Sequence, residues 1–183
     1  VPDHLGKKKI MARQLPFDVF VGRKLQKWQQ RADDHNLDFV DAVGVSPIEE
    51  MIYFWNGFKK MPSDRLEESL EKLTWSESTG KIPWTEDTVD EHAIQAVLKA
   101  TILRNLGRTE EARDIMEKKI LSKDKSMFKG GLKDNWTCPV AHYEMGVNYW
   151  FDYHKSSKQS DLSSCIEWLD KAAAWESYDL DAR

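Results

Sequence analysis

Small residues at helix ends and crossings constrain this chain more than any other feature. The run Leu103-Arg-Asn-Leu-Gly-Arg-Thr-Glu-Glu-Ala112 closes one amphipathic helix at Gly107 and opens another. Glycine at that place supplies the left-handed residue that stops a helix. In Tyr143-Glu-Met-Gly-Val-Asn-Tyr149, Gly146 falls where a second pair of helices must nearly touch. The pattern predicts stacked antiparallel helical hairpins, an architecture that holds partners more often than it performs chemistry.

Helix signals run through the chain, and alternating β-branched runs are missing, which makes the class all-α with no sheet. Pro16 opens a helix with Phe17, Phe20/Val21, Lys24/Leu25, Trp28 and Ala32 on one stripe. Asn36 to Gly44 reads as a connector with room for one helical turn. Ser46-Pro47-Ile48-Glu49 is a capping box ahead of a helix to about Lys60 that is apolar on most sides, which predicts burial on more than one face. Ser63 caps a helix through Leu66, Leu70 and Leu73, and residues 74–85 read as a loop. Thr88 to Glu91 is a second capping box, and Thr109 caps the helix after Gly107. Residues 122–136 read as a mobile polar loop, Pro139 starts a further helix, and 154–160 is a flexible loop. The last helix turns Cys165, Ile166, Trp168/Leu169, Ala172 and Ala173 inward.

The spacing resembles that of tetratricopeptide repeats. Ala100 and Ala112 lie 112 − 100 = 12 positions apart, the offset of a tight crossing, with Leu103 and Met116 as its large apolar fillers. Gly146 pairs with Cys165 at 165 − 146 = 19, seven positions more, with Tyr149, Leu169 and Ala172 in the equivalent places. Gly57 and Ser69 make a divergent third pair. The organisation expected is a tail over 1–14 and a helical domain over 15–183, with hairpins at about 47–73, 88–121 and 139–178. Ala100 to Gly146 spans 46 residues against the usual ~34 of this repeat, so a non-repeating bundle is the alternative.

Composition narrows the function. A net charge of −4 argues against nucleic acid as the ligand. Two cysteines, Cys138 and Cys165, make no disulfide framework and fit a reducing, cytoplasmic compartment. No apolar run reaches the roughly 18 residues of a membrane span, and Val1-Pro-Asp-His-Leu-Gly-Lys-Lys-Lys does not lead into a signal sequence. The start at Val1 and the end after Trp175 read as the limits of a piece of a longer protein. No phosphate loop, nucleophile elbow or dinucleotide fingerprint occurs. Cys138 and His142 share a helix face, but a metal would need two further ligands. No catalytic residue, cofactor or metal is therefore expected. Lys and Asn are also missing from the positions where chaperone-binding repeats grip a terminal carboxylate, here Val97/Thr101 and Tyr143/Val147.

Three longer segments carry a resemblance: residues 15–28, 44–57 and 134–146, the last reading Asp134-Asn-Trp-Thr-Cys-Pro-Val-Ala-His-Tyr-Glu-Met-Gly146. Over about 12–183 the chain resembles the C-terminal region of the family of fungal inclusion-body clearance proteins and tetratricopeptide repeat 39 proteins. The resemblance implies a non-enzymatic helical-repeat protein of cytoplasm and nucleus, associated with lipid droplets and acting in clearance of protein inclusions. Two functions stand: a scaffold for a protein partner, or a lipid- or sterol-binding module with an apolar pocket between helices. The eight tryptophans and the apolar 48–58 segment motivate the second.

Overall fold

A computed structural model describes residues 5–7, 9–10, 13–85, 88–176, 178 and 180. The expectations for residues 1–4 and 181–183 lie outside the described residues. The class is all-α. The extended backbone among the described residues is one antiparallel ladder of β1 (Lys9–Ile10) and β2 (Arg13–Gln14), too short to form a layer.

Helix α1 (Pro16–His35) starts with its proline in the first turn and ends where Asn36 turns left-handed at φ 50°. The buried stripe is Phe20, Lys24, Lys27, Trp28 and Ala32, so two lysines point inward. A 3-10 turn, Phe39–Ala42, leads to α2 (Pro47–Phe54). The Ser46 hydroxyl accepts from the Glu49 amide at 3.5 Å, the serine half of the capping box.

Helix α2 departs from expectation twice. It stops at Phe54 because Asn56 takes φ 54°, and the chain resumes as a 3-10 turn over Phe58–Lys60. Its burial is also mixed: Glu49 and Glu50 are inside, Ile52, Tyr53 and Phe54 pack half-buried on the core, and Ile48, Met51 and Trp55 are exposed. Glu50 is drawn in by the buried Lys24 ammonium of α1, 2.9 Å away.

Helix α3 (Ser63–Thr79) runs through residues 74–79, expected as loop. The hydroxyls of Thr74, Ser76, Ser78 and Thr79 each donate to a carbonyl one turn back, so residues that often compete with a helix are satisfied within it. Helix α4 (Val89–Asn105) is buried on nearly every side and is the centre of the stack. Helices α2 and α3, expected to pair as a hairpin over 47–73, each pack mainly on α4.

The turn after α4 closes in a Schellman arrangement. Gly107, at φ 82°, donates to Arg104 O at 2.9 Å, and Arg108 N donates to Leu103 O at 2.8 Å. Helix α5 (Thr109–Met116) follows and widens into a π turn over Glu117–Leu121. Neither expected threonine cap forms. Thr88 donates to Thr85 O at 2.7 Å, and Thr109 reaches Asp152 of the next helix at 2.7 Å. The inner line of α5 and its extension is Ala112, Met116 and Ile120, packed on Ala100 and Leu103 in one core.

Residues 122–136, expected as a mobile loop, contain the 3-10 turn Lys125–Phe128 and are pinned by the buried Phe128, Asp134 and Trp136. Helices α6 (Thr137–Ser156) and α7 (Gln159–Ala173) then pack along their length. Only Ser157 and Lys158 separate them, with Ser157 at φ 55°. The flexible loop expected over 154–160 is therefore a two-residue turn, and the additional positions between Gly146 and Cys165 lengthen the helices. Of the positions expected inward on α7, Cys165 is buried but Ile166 is 53 % exposed, because the α6–α7 surface facing it is uncovered.

Candidate interaction surface

The site is held by an ionic lattice that spacing does not reveal. The Lys27 ammonium lies 2.5 Å from Asp90, 2.6 Å from Glu91 and 2.7 Å from Asp134. Three carboxylates thus take the three protons of one ammonium. Lys24 lies 2.9 Å from Glu50 and 3.3 Å from Asp134, Arg23 2.8 Å from Asp134, and Arg31 2.9 Å from Glu91. Glu91 also accepts from the Val45 amide at 3.0 Å. One face of α1 is in this way tied to α2, to α4 and to the segment before α6.

Burial disfavours every charge here, and the network offsets it. For Lys27, Glu91, Asp134 and Asp90 outweigh burial and hold the ammonium above its ordinary range. For Asp134, Lys24, Lys27 and Arg23 outweigh burial and hold the carboxyl well below its usual range. Glu50 goes the other way: burial, only partly opposed by Lys24, pushes it up to about 7. Asp90, Glu91 and Asp134 have oxygens within 4.8 Å of one another, a spacing that suits a cation. Lys27 already fills that role, which makes the cluster a structural tie.

A second buried tie joins α4, α6 and α2. Arg104 pairs with Glu144, and the Tyr53 hydroxyl donates to the same carboxylate at 3.0 Å. With α6 anchored on this side, the face beside it is left open. Tyr143, Val147 and Trp150 of α6 and Leu162, Ile166 and Leu169 of α7 line an apolar groove. Tyr143 is 50 %, Trp150 43 % and Leu169 36 % exposed, so large apolar side chains meet solvent side by side on two rigid helices. At the base of this groove Gly146 sits against α7. A Cβ there would lie 2.9 Å from Leu169 Cγ and 3.2 Å from the Cys165 carbonyl oxygen.

The residues singled out by spacing separate into two groups. Ala100, Leu103, Ala112 and Met116 are buried where α4 meets α5. Gly146, Cys165 and Leu169 meet at the α6–α7 crossing, with Ala172 half-buried one turn on. Tyr149 is half-buried, with the Arg113 guanidinium 4.6 Å from its ring centre. Cys138, His142 and Cys165 do not converge on one point among the described residues. His142 lies between Trp168 and Trp175, its Nδ1 2.8 Å from Cys138 O, and burial holds its pKa down. Burial pushes the Cys138 thiol up to about 12, so it is a protonated, unreactive core residue at neutral pH.

The lattice had one sequence signal: Lys24 occupies the apolar stripe of α1. The uncovered face had another, since α6 and α7 carry more large apolar residues than one buried stripe can use.

Comparison with known proteins agrees with the helical architecture. The model of the family described as Iml2/Tetratricopeptide repeat protein 39 matches residues 1–106. The inclusion body clearance protein iml2 of Aspergillus niger is 48 % identical over 203 aligned residues, covering 100 % of this chain and 29 % of the relative. The corresponding proteins of Pyricularia oryzae and Yarrowia lipolytica are 37 % and 35 % identical, with 100 % of this chain and 24 % and 26 % of each relative covered. The chain thus spans under a third of the length of these curated relatives. No solved structure gives a significant match. No helix among the described residues is long and apolar enough to cross a membrane. On the family match and a similarity to these fungal proteins that runs over the whole of this chain, the chain belongs to the Iml2/tetratricopeptide repeat protein 39 family.

Proposed function

We propose that this chain is a non-enzymatic helical scaffold that holds a protein partner during clearance of protein inclusions. The observation that carries the reading is the open α6–α7 groove, where Tyr143, Trp150, Ile166 and Leu169 present apolar surface on helices anchored from behind. Such a patch on a rigid support is the ordinary form of an interaction site. The relatives' printed names supply the process, inclusion body clearance. The family resemblance extends the proposal to a cytoplasmic and nuclear protein that associates with lipid droplets. Affinity capture of the full-length protein from fungal cells tests it. The double variant Trp150→Ala/Ile166→Glu is expected to lose partners that the wild type retains, and a variant that keeps them all contradicts the reading.

The competing reading, a lipid or sterol held between helices, draws on the apolar lining of the same groove. Saturable binding of cholesterol or ergosterol to the chain, abolished by Ile166→Glu, would favour it over a protein partner.

A further inference from the structure

On the other flank of Tyr143 and Trp150 lies a recess with a different chemistry. Asn56 and Lys59, after α2, meet Arg104 and Asn105 at the end of α4 and His154 and Lys155 near the end of α6. Val147, Trp150 and Phe151 form its apolar wall, and Trp150 and Val147 also line the α6–α7 groove, which makes the two continuous. No carboxylate occurs among the described residues that line it, in a chain with 31 acidic and 27 basic side chains.

The charge balance at the recess is positive. Arg104 is neutralised by Glu144. Lys59 and Lys155 are exposed, and neither has a carboxylate partner among the described residues; the Lys155 ammonium rests 5.2 Å from the Phe151 ring centre. The C-terminal ends of α2, α4 and α6 each contribute at most about half a negative charge. Two whole positive charges against three such half charges leave a net positive excess of about half a charge or more.

The geometry points to a partner segment that pairs carboxylates with apolar side chains: an acidic amphipathic peptide laid along α6. Its apolar residues would sit on Val147 and Trp150, and its carboxylates beside Lys59 and Lys155. The inference rests on the scaffold reading and adds the chemistry of the partner. A recess walled by three elements suits a protruding peptide better than a flat bilayer.

The test uses the whole chain and a short fluorescent peptide that alternates aspartate and glutamate with leucine and phenylalanine. A matched peptide carries asparagine and glutamine in place of the acids. Fluorescence anisotropy is expected to show the acidic peptide binding about tenfold more tightly than the amide peptide, with an advantage that fades as salt rises. Lys59→Glu/Lys155→Glu is expected to erase that tenfold advantage, Lys59→Arg/Lys155→Arg to keep it, and Trp150→Ala to weaken both peptides. Melting temperatures of the charge variants, all at exposed positions, confirm that they fold. Equal binding of the two peptides overturns the inference, as does a charge reversal without effect. So does binding to phosphatidylserine vesicles but not to the peptide, or self-association that buries Trp150 in its place. If the peptide test fails while Trp150→Ala/Ile166→Glu still strips partners in cells, the charge inference falls and the scaffold stands. If that variant keeps its partners, the scaffold reading itself falls.

Discussion

Lys27 grips Asp134 across 107 positions of sequence, its ammonium 2.7 Å from Oδ2, and so fastens the first long helix to the segment just before α6. The same ammonium holds Asp90 and Glu91 of the central helix. Removing one partner of a buried ionic set costs more than the set contributes intact, because the remaining charges stay buried.

Lys27→Met therefore removes an ammonium shared by three buried carboxylates: Asp90 loses its cation, while Arg31 still holds Glu91 and Lys24 and Arg23 still hold Asp134, and the loss expected in urea unfolding is about 3 kcal/mol. Lys27→Arg is expected to fall short of wild type as well, because a planar guanidinium cannot present donors in three directions from one atom. A midpoint unchanged in Lys27→Met would mean that the lattice does not hold α1 in place.

Gly44 borders the same lattice. A Cβ at this position would overlap the Glu91 carboxylate, which Lys27, Arg31 and the Val45 amide hold in place. Gly44→Ala is expected to destabilise by about 2–3 kcal/mol, although alanine is otherwise a mild change. Thermal unfolding reads the effect, and a melting temperature within a degree or so of wild type would contradict the close approach.

Gly146 offers a graded test at the α6–α7 crossing. In Gly146→Ala the new methyl meets Leu169 Cγ and the Cys165 carbonyl oxygen, so Leu169, which is partly exposed, must turn outward and α7 must give by a few tenths of an ångström. The helix-propensity gain of about 1 kcal/mol offsets part of the strain, and the net loss is expected to be about 1 kcal/mol. Gly146→Leu must push the α7 backbone much further and is expected to lose about 3 kcal/mol and to loosen α7. Amide exchange along α7 would report it; equal protection in the two variants would show that the helices are not in close contact there.

Stability should peak in mildly acidic solution. The folded-state pKa of Glu50 is raised from 4.5 to about 7, chiefly by burial. A raised carboxyl binds its proton more tightly folded than unfolded, so its ionisation erodes stability as pH climbs from about 4.5 to about 7. Asp134 and Glu91 are lowered by their cationic neighbours against burial, and their contribution is lost as pH falls below the ordinary carboxylate range. Glu50→Gln is expected to reduce the decline toward neutral pH by about 1–3 kcal/mol while keeping the acid limb, and Glu49, also raised by burial, leaves a remainder of the same sign. A neutral-side decline undiminished in the variant would assign it to another group.

The helix starts and the α4–α5 turn were legible because their signals are local. Pro16, Ser46, Gly107 and the stripe of α5 act within a turn or two of themselves. The ionic lattice was not, because its members lie on four separate segments and each one alone reads as a solvated polar residue. Lys24 on the apolar stripe of α1 was the single local trace. The same limit explains the mixed burial of α2: an apolar run predicts a helix buried through its apolar residues, but Glu50 faces inward because Lys24 awaits it from another helix. At the surface, α7 follows the repeat pattern closely enough to suggest an inward Ile166, and only the arrangement of α6 beside it shows that this face is uncovered.

The uncovered α6–α7 face is the proposed partner site, and inclusion clearance measures it most directly. Trp150→Ala/Ile166→Glu changes two exposed side chains, so the expected stability change is within about 1 kcal/mol. In fungal cells carrying the variant in the full-length protein at wild-type abundance, a fluorescent aggregated reporter is expected to disperse more slowly than in wild-type cells. Dispersal at the wild-type rate would contradict a role for this face in holding the partner.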